Sequence, residues 1–386
     1  MRSSPTRAQR GTRPKNIKTP CNSFYTTSTK KFYLCNMSKR IGITIGDING
    51  ISAEIIIKTF LDPSILEYCT PVIYGSVKVL NYYRQFLKID KFLFQPIRHT
   101  QPNMPLKKIY VVDVADNLDR VEIAKVSANA GKLAAIALEM AVKDIQNGII
   151  DAIVTAPIHK EAMKLSGFAF PGHTEFFAHT FSSPNTMLFM IHETIRVGLV
   201  TGHVPIQSVA SLLSVDKIIN KIRVMHDSLK VDFNITKPKI AVLGLNPHAG
   251  ENGTIGSEEN DFILPAIQAA KNENMLCMGP FPADSFFGSG AYRQFDGILA
   301  IYHDQGLIPF KVLAFGGGVN YSAGLPIVRT SPDHGTAYDI VGKNKANESS
   351  FRQAIFLALD ILKNRIEYAQ NTANPLKTHK INSEVE

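Results

Sequence analysis

Three features are missing from this chain of 386 residues, and each absence excludes a class of protein. No run approaches 18 apolar residues, so we expect no membrane-spanning helix. The four cysteines form no CxxC pair, which predicts reduced thiols in a cytosolic protein rather than a disulfide framework. The first predicted strand is followed by a glycine-containing turn that is not GxGxxG, so the signal for a Rossmann nucleotide site is weak.

Acidic side chains are missing from residues 1–40, which hold ten of the 42 lysines and arginines. The remaining 32 basic residues face 33 acidic ones, so the formal charge of +9 belongs to the N-terminal segment. The rest of the chain is nearly neutral and indicates no nucleic-acid surface. We expect residues 1–36 to form a disordered basic tail. Its composition is like that of an organelle transit peptide, but we favour Met37 as the true initiator, because the first strand begins directly after it.

Apolar runs alternate with helical patterns along the rest of the chain. Ile41–Ile45, Ile150–Ala156 and Lys239–Leu245 predict buried strands. Ala128–Asn147 and Phe351–Tyr368 have the length and periodicity of helices. This alternation is typical of an α/β protein whose mostly parallel sheet is covered by helices on both faces.

Three histidines occupy the same place relative to predicted strands. His203, His248 and His303 each follow an apolar run, at a turn marked by Gly or Pro, and lie 45 and 55 residues apart. Ligands of open α/β sheets bind outside the carboxyl ends of the strands. Catalytic zinc sites often use three protein ligands and leave one position open. A single histidine here would more simply cap a turn, but three in one context favour a shared metal site.

A second set of residues offers positive charge and neutral donors to an anionic substrate. Lys311 follows the last of these histidines, and Arg329 ends an apolar run, which is an unusual place for a surface arginine. Arginine can hold phosphate or carboxylate with two parallel bonds, and lysine adds a point charge. We add His173, Thr174 and Asn320 as further donors. Asp304, beside His303, is either a general base or the partner that orients this histidine.

Five segments together closely resemble the 4-hydroxythreonine-4-phosphate dehydrogenase family of vitamin B6 synthesis. They read Gly172-His-Thr-Glu175, Thr201-Gly-His-Val-Pro205, Asn246-Pro-His-Ala-Gly250, Tyr302-His-Asp-Gln-Gly-Leu-Ile-Pro-Phe-Lys311 and Gly318-Val-Asn-Tyr-Ser-Ala-Gly-Leu-Pro-Ile-Val-Arg-Thr330. The resemblance covers about residues 40–368. The segment Asp333–Lys343 is similar to the cofactor loop of isocitrate and isopropylmalate dehydrogenases, which bind NAD without GxGxxG. The loop Gly46–Ser52 departs from the Pro- and Gly-richer version of many members.

The resemblance implies a role for each matching position. The metal ligands would be His203, His248 and His303, with one of them supplied by the partner subunit of a homodimer. Substrate contacts would come from His173, Thr174, Lys311, Asn320 and Arg329. Contacts to NAD or NADP would come from His334, Gly335, Thr336 and Asp339. Each subunit would hold one divalent ion, namely zinc, magnesium or cobalt.

The resemblance also implies an architecture and a reaction. The fold would be isocitrate/isopropylmalate dehydrogenase-like, with two interleaved α/β lobes over residues 37–373, the active site in their cleft and a short tail over 374–386. The cytoplasmic enzyme would oxidise 4-phosphohydroxy-L-threonine at C3, and the β-keto acid formed would lose its carboxylate to give 3-amino-2-oxopropyl phosphate.

Two other functions remain open. One is a dehydrogenase of the same family that acts on another phosphorylated four-carbon hydroxy acid. The other is a phosphate acyltransferase of the same general fold. The acyltransferase needs neither metal nor NAD, so the three histidines and the cofactor-like loop count against it.

Overall fold

The computed structural model describes residues 38–115 and 121–374. The predicted basic tail and nearly all of the predicted C-terminal tail lie outside the described residues. Within the described part, no helix has both the length and the apolar character needed to cross a membrane.

One sheet of twelve strands runs through the described residues. The strands are β1 Lys39–Thr44, β2 Cys69–Gly75, β3 Gln95–Ile97, β4 Tyr110–Asp113, β5 Ala152–Thr155, β6 Met187–His192, β7 Ile195–Leu199, β8 Lys239–Leu243, β9 Leu276–Phe281, β10 Gly297–Ala300, β11 Val319–Ala323 and β12 Arg329–Pro332. Their spatial order is β3-β4-β2-β1-β5-β12-β11-β6-β7-β10-β8-β9. The pairs β12–β11, β11–β6 and β6–β7 are antiparallel, and the other described pairs are parallel. The predicted α/β fold with a mostly parallel sheet is confirmed.

Ten α-helices flank this sheet in the described residues. They are α1 Ser52–Thr59, α2 Val77–Phe86, α3 Ala128–Gln146, α4 Lys160–Leu165, α5 His173–Thr180, α6 Val215–Val231, α7 Leu264–Asn272, α8 Ala283–Gly288, α9 His303–Leu313 and α10 Ser349–Thr372. Three of them begin after a serine whose hydroxyl accepts a backbone N–H of the first turn, at Ser76, Ser127 and Ser214. These caps explain why α2, α3 and α6 start where they do.

The sequence also predicts helices over Ile206–Leu213 and Glu258–Asn272, and both differ from the observed elements. Residues 206–213 form two short 3₁₀ turns, Ile206–Ser208 and Ala210–Leu212, because their apolar side chains point both inward and outward. The helix predicted over 258–272 begins as a π-helical turn, Glu259–Ile263, before α7. The sequence interpretation also missed β3, β9, β11, β12, α4 and α8, which are short elements with little periodicity. It further read the residues after His303 as a loop, whereas they form helix α9.

The core lies on both faces of the sheet. The larger buried cluster includes β1, β2 and β5, whose side chains are almost all buried, as expected for parallel strands covered on both sides. A smaller cluster covers β7, β8 and β10 with α8 and α9, through residues such as Val197, Leu243, Ala300, Phe286 and Phe310. Packing of α9 on these strands sets the position of its first residue, His303.

Candidate active site

A cleft of about 770 Å³ opens at the carboxyl ends of the central strands. Its volume lies in the usual range for small-molecule sites. Seven residues predicted for the substrate and metal sites line it, namely His173, Thr174, His203, His303, Lys311, Asn320 and Arg329. Residues that are up to 156 positions apart in sequence therefore share one cavity.

The sheet order explains why the histidines approach one another. Strands β7, β10 and β8 are neighbours and parallel, so the residues after them emerge on one rim. The ring centroids of His203 and His303 are 5.3 Å apart. Two imidazoles that bind one ion through nitrogens at about 2.1 Å have centroids roughly 5 Å apart. The spacing of these two rings therefore fits a shared metal ion.

The environment of these two rings also suits metal binding. The Nδ1 atom of His303 lies 2.7 Å from Oδ1 of Asp304. A carboxylate on Nδ1 holds the proton there and leaves Nε2 free to bind a metal. Asp304 itself is exposed and does not line the cleft. Burial lowers the pKa of His203, and the nearby positive charge of Lys160 acts in the same direction, so the neutral ring is favoured at pH 7.

His248 stays apart from the pair within one chain. It follows β8 in an exposed turn and does not line the cleft. Among the described residues, no group of three His, Cys, Asp or Glu side chains is close enough to hold a metal ion. The backbone of His248 has a φ of 54° and begins six consecutive residues with positive φ. Such conformations are uncommon outside glycine and are found where the surrounding structure enforces them.

Arg329 is a buried cation at the base of the cleft. It is 2% exposed, and no ion pair of the described residues includes it. Its guanidinium donates to Thr155 Oγ1 at 2.6 Å and to Ser322 Oγ at 3.1 Å, while Nε has no partner. Burial lowers the pKa of Arg329 to about 9, which still leaves it charged at pH 7. A buried charge bonded to neutral groups indicates a site for an anionic ligand.

His173 is the first residue of α5 and lies against this arginine. Its Nδ1 is 3.1 Å from a terminal nitrogen of Arg329, which can only donate, so Nδ1 accepts. Burial, together with the charge of Arg329, holds the pKa of His173 well below its usual value. The ring is therefore neutral, and its proton is on Nε2. Asn320, whose Oδ1 has no partner, adds a second polar atom to the same wall.

Three charged residues of the cleft were not predicted from sequence: Lys160, Glu175 and Lys221. Lys160 follows β5 in the same way that the histidines follow their strands, so the strand-end rule applied to Thr155–Lys160 would have found it. Lys221 is in the middle of α6, and its Nζ donates to the carbonyl of Thr186 at 2.5 Å. No local pattern marks it.

The predicted cofactor loop is only partly in the cleft. His334 and Gly335 line it, and Nε2 of His334 is buried without a partner. Thr336 and Asp339 do not line it. The Thr336 carbonyl instead accepts the N–H of Ile51, which ties the loop to the Gly46–Ser52 turn. A half-buried loop with an unpartnered ring nitrogen at the cleft is compatible with one side of a bound dinucleotide.

Tyr338 provides a second connection between the two loops. Its hydroxyl donates to Oδ2 of Asp47 at 2.7 Å, and its ring stacks on His159 with centroids 5.1 Å apart. Burial raises the pKa of Asp47 in spite of the hydrogen bond from Tyr338, which acts in the opposite direction. The cofactor-like loop thus has a defined position before any cofactor binds.

Known proteins are similar to this chain in sequence and in fold. A family model described as pyridoxal phosphate biosynthetic protein PdxA matches residues 67–358. The chain is 48% identical over 339 residues to 4-hydroxythreonine-4-phosphate dehydrogenase of Bacteroides thetaiotaomicron, covering 88% of this chain and 93% of that protein. It is 37% identical over 329 residues to an Oceanobacillus iheyensis protein named provisionally as D-threonate 4-phosphate dehydrogenase, covering 84% of this chain and 99% of that protein.

A solved structure extends the similarity to three dimensions. The crystal structure of 4-hydroxythreonine-4-phosphate dehydrogenase from Klebsiella pneumoniae matches with a TM-score of 0.74 and 36% identity, over 85% of this chain and 99% of that chain. The family expected from the sequence motifs is confirmed. The chain belongs to the family of the pyridoxal phosphate biosynthetic protein PdxA.

Proposed function

We propose that this protein oxidises 4-phosphohydroxy-L-threonine at C3, with NAD or NADP as the oxidant. The product, 2-amino-3-oxo-4-phosphooxybutanoate, is a β-keto acid and decarboxylates to 3-amino-2-oxopropyl phosphate, a precursor of pyridoxal 5′-phosphate. The observation that carries the proposal is the content of one cleft. It is lined both by a buried arginine, Arg329, that forms no ion pair with a carboxylate of the described residues and by two histidines whose rings lie close together. The relatives named for this reaction support it.

The anionic substrate is held by the chain's own cations and donors. Arg329 and Lys311 provide charge for the phosphate or the carboxylate, and Asn320 and Thr174 provide polar contacts. His173, neutral with its proton on Nε2, donates without adding charge. Fixing both ends of a four-carbon substrate orients C3 for reaction.

We infer that His203 and His303 hold a divalent ion, with His248 of a second subunit as the third ligand. When bound, the ion supplies Lewis-acid polarisation of the substrate hydroxyl. Asp304 orients His303 and keeps its Nδ1 protonated. We assign Asp304 to this orienting role, because its carboxylate contacts Nδ1 of His303 and does not line the cleft.

An exposed apolar surface beside the histidines supports a homodimer. Two side chains of α9 and one beyond its end are strongly exposed: Ile308 at 62%, Val312 at 73% and Phe315 at 94%. Ile308 and Val312, four residues apart, lie on one face of the helix that begins with His303, and Phe315 follows the helix in the turn after Ala314. Ile206, 70% exposed, follows His203 closely. Contiguous apolar side chains at a surface mark interaction sites.

The remaining parts of the proposal concern the cofactor, the chain organisation and the compartment. Residues 333–343 bind NAD or NADP, with His334 and Gly335 at the cleft and Thr336 and Asp339 beyond it. Residues 37–373 form the catalytic unit of two interleaved lobes, and the flanking tails take no part. We place the enzyme in the cytoplasm, in accordance with the free, buried Cys69 and Cys277.

One relative favours a second candidate function, oxidation of D-threonate 4-phosphate. That compound lacks the amino group but keeps the phosphate, the hydroxyl and the carboxylate. The cations of the cleft would bind both compounds, so this geometry does not separate them.

A spectrophotometric assay tests the proposal. Purified protein with NAD or NADP and 4-phosphohydroxy-L-threonine is expected to form reduced cofactor at 340 nm, and a chelator is expected to remove the activity until a divalent ion is added back. D-threonate 4-phosphate in parallel serves as the competing substrate. A higher kcat/KM for D-threonate 4-phosphate would replace the first function by the second, and no reduction of either cofactor would exclude both.

A further inference from the structure

A buried carboxylate outside the cleft holds the turn that carries His248. Glu259 is 3% exposed, and within the described part of the chain it forms no ion pair. Its Oε1 accepts the backbone N–H of Asn246 at 2.7 Å, and its Oε2 accepts the side-chain amide of Asn246 at 2.9 Å. Both oxygens of this carboxylate are therefore committed to the residue two positions before His248.

The turn beyond Asn246 has an uncommon backbone conformation. The six residues 248–253 all have positive φ, between 41° and 93°, and Gly250 and Gly253 are the two glycines among them. Residues with a Cβ atom avoid this region because of contact with the following carbonyl. Four such residues within one run of six require surroundings that exclude the alternatives.

Glu259 supplies a large part of those surroundings. A Cβ atom on Gly250 would lie 2.5 Å from Oε2 of Glu259, and one on Gly244 would lie 3.2 Å from Oε1. The backbone therefore closes around the carboxylate on both sides. Glu259 also begins the π-helical turn before α7, and such wide turns are frequent at functional positions.

We propose that Glu259 is a positioning residue for metal binding. Through Asn246 it holds the left-handed turn in the conformation that presents the His248 imidazole. The inference rests on the proposed metal site. Glutamine cannot replace Glu259, because it has one acceptor oxygen for two N–H groups and would oppose its own amide to that of Asn246.

The test measures zinc binding alone, without substrate, by equilibrium dialysis of the purified full-length protein. The variants are Glu259→Gln, His248→Ala and the double variant. We expect each single variant to bind Zn²⁺ about tenfold more weakly or worse, as is typical for a lost outer-shell partner. The double variant should bind no more weakly than His248→Ala, because Glu259 acts through this histidine.

Asp261→Asn is the matched control. Asp261 lies two residues along the same turn, is exposed, and accepts from the hydroxyl of Ser257. The same change from carboxylate to amide is therefore expected to leave zinc affinity within twofold of wild type. If Glu259→Gln does not fold, Asn246→Ala takes its place in the double-mutant cycle with His248→Ala. Asn246→Ala removes only one of the two hydrogen bonds between Asn246 and Glu259.

Three results would overturn the inference. Normal zinc affinity in Glu259→Gln, with weak binding in His248→Ala, leaves the metal site intact and removes the role of Glu259. If Glu259→Gln weakens zinc binding by the same factor in the His248→Ala background as in the wild type, Glu259 acts independently of His248 and is a general structural residue. Unchanged zinc affinity in His248→Ala removes both the third ligand and this inference, whereas the dehydrogenase assay decides the reaction independently.

Discussion

The position of Arg329 makes it the residue on which we expect substrate binding to depend most. Its charge is buried and is compensated by hydrogen bonds to neutral groups rather than by a carboxylate. Such a group is costly in the free protein and gains a partner when an anion enters the cleft. A charge buried in this way reduces the stability of the free protein, and we therefore interpret it as a feature that serves ligand binding.

We therefore expect Arg329→Met to lower kcat/KM for the phosphorylated substrate by about 100-fold or more, since bonds to charged groups each contribute about 1.5–3 kcal/mol. Most of the loss should be in KM. Steady-state kinetics at saturating cofactor measures it. Arg352→Met is the control, because Arg352 pairs with Glu348 away from the cleft and should leave the kinetics unchanged. An unchanged KM in Arg329→Met would contradict the assignment.

Two loops form the proposed cofactor side, and Tyr338 connects them. Loss of its hydroxyl removes the bond to Asp47 and leaves the turn contact between Ile51 and Thr336. The loop over 333–343 would then be less well ordered before cofactor binding. Ordering it on binding costs affinity for the cofactor rather than for the substrate.

Tyr338→Phe is accordingly expected to raise the KM for NAD or NADP several-fold, with a smaller change in the KM for substrate. Tyr82→Phe, an exposed tyrosine on α2, is the control with no expected effect. Measurement of both KM values in each variant separates the two sides of the cleft. A change confined to the substrate KM would mean that the loop does not serve the cofactor.

A buried network joins α6, β11 and α10 behind the cleft. Asp232 accepts from the hydroxyl groups of Ser228 and Tyr321 and from Nε of Arg365, at 2.6, 2.7 and 2.7 Å. The side chain of Asp232 is almost completely buried. Removal of one partner from a buried ion pair leaves the other charge uncompensated.

Asp232→Asn should lower the free energy of unfolding by about 3 kcal/mol. Denaturant titration followed by circular dichroism measures the change. The control is Glu273→Gln, which breaks an exposed ion pair with Arg223 and should change stability little. Equal losses of unfolding free energy in the two variants would show that the buried network of Asp232 stabilises the protein no more than an exposed ion pair does.

At the scale of the whole molecule, the proposed metal site would require two subunits. His203 and His303 share one chain, and His248 lies apart from them. In a homodimer, each site would then combine two ligands of one chain with one ligand of the other. The apolar face of α9 lies beside the proposed junction.

Mixing of inactive subunits tests this arrangement. A heterodimer of His303→Ala and His248→Ala subunits has one doubly altered site and one intact site, so about half of the wild-type activity per heterodimer is expected. A heterodimer of His203→Ala and His303→Ala subunits has one altered ligand in each site and should remain inactive. Recovery in the second mixture, or none in the first, would require a different distribution of ligands.

The local sequence predicted the type of many elements and seven of the residues that line the cleft. Apolar runs such as those of β1 and β8 identify buried strands, because a parallel strand hides both of its faces. The polar residues that follow them identify the rim, because a polar group there must be exposed or used. His203 and His303 could be selected by this rule, whereas Lys311 lies within α9 and Arg329 begins β12.

Tertiary structure decided which of these residues meet. Strand β10 lies between β7 and β8 although it follows both in the chain, and this order brings His303 beside His203. The contact between Arg329 and Thr155 spans 174 residues. Hydrophobic periodicity shows which face of an element is buried, but strand order and the separation of His248 depend on packing between distant segments, which no local pattern encodes.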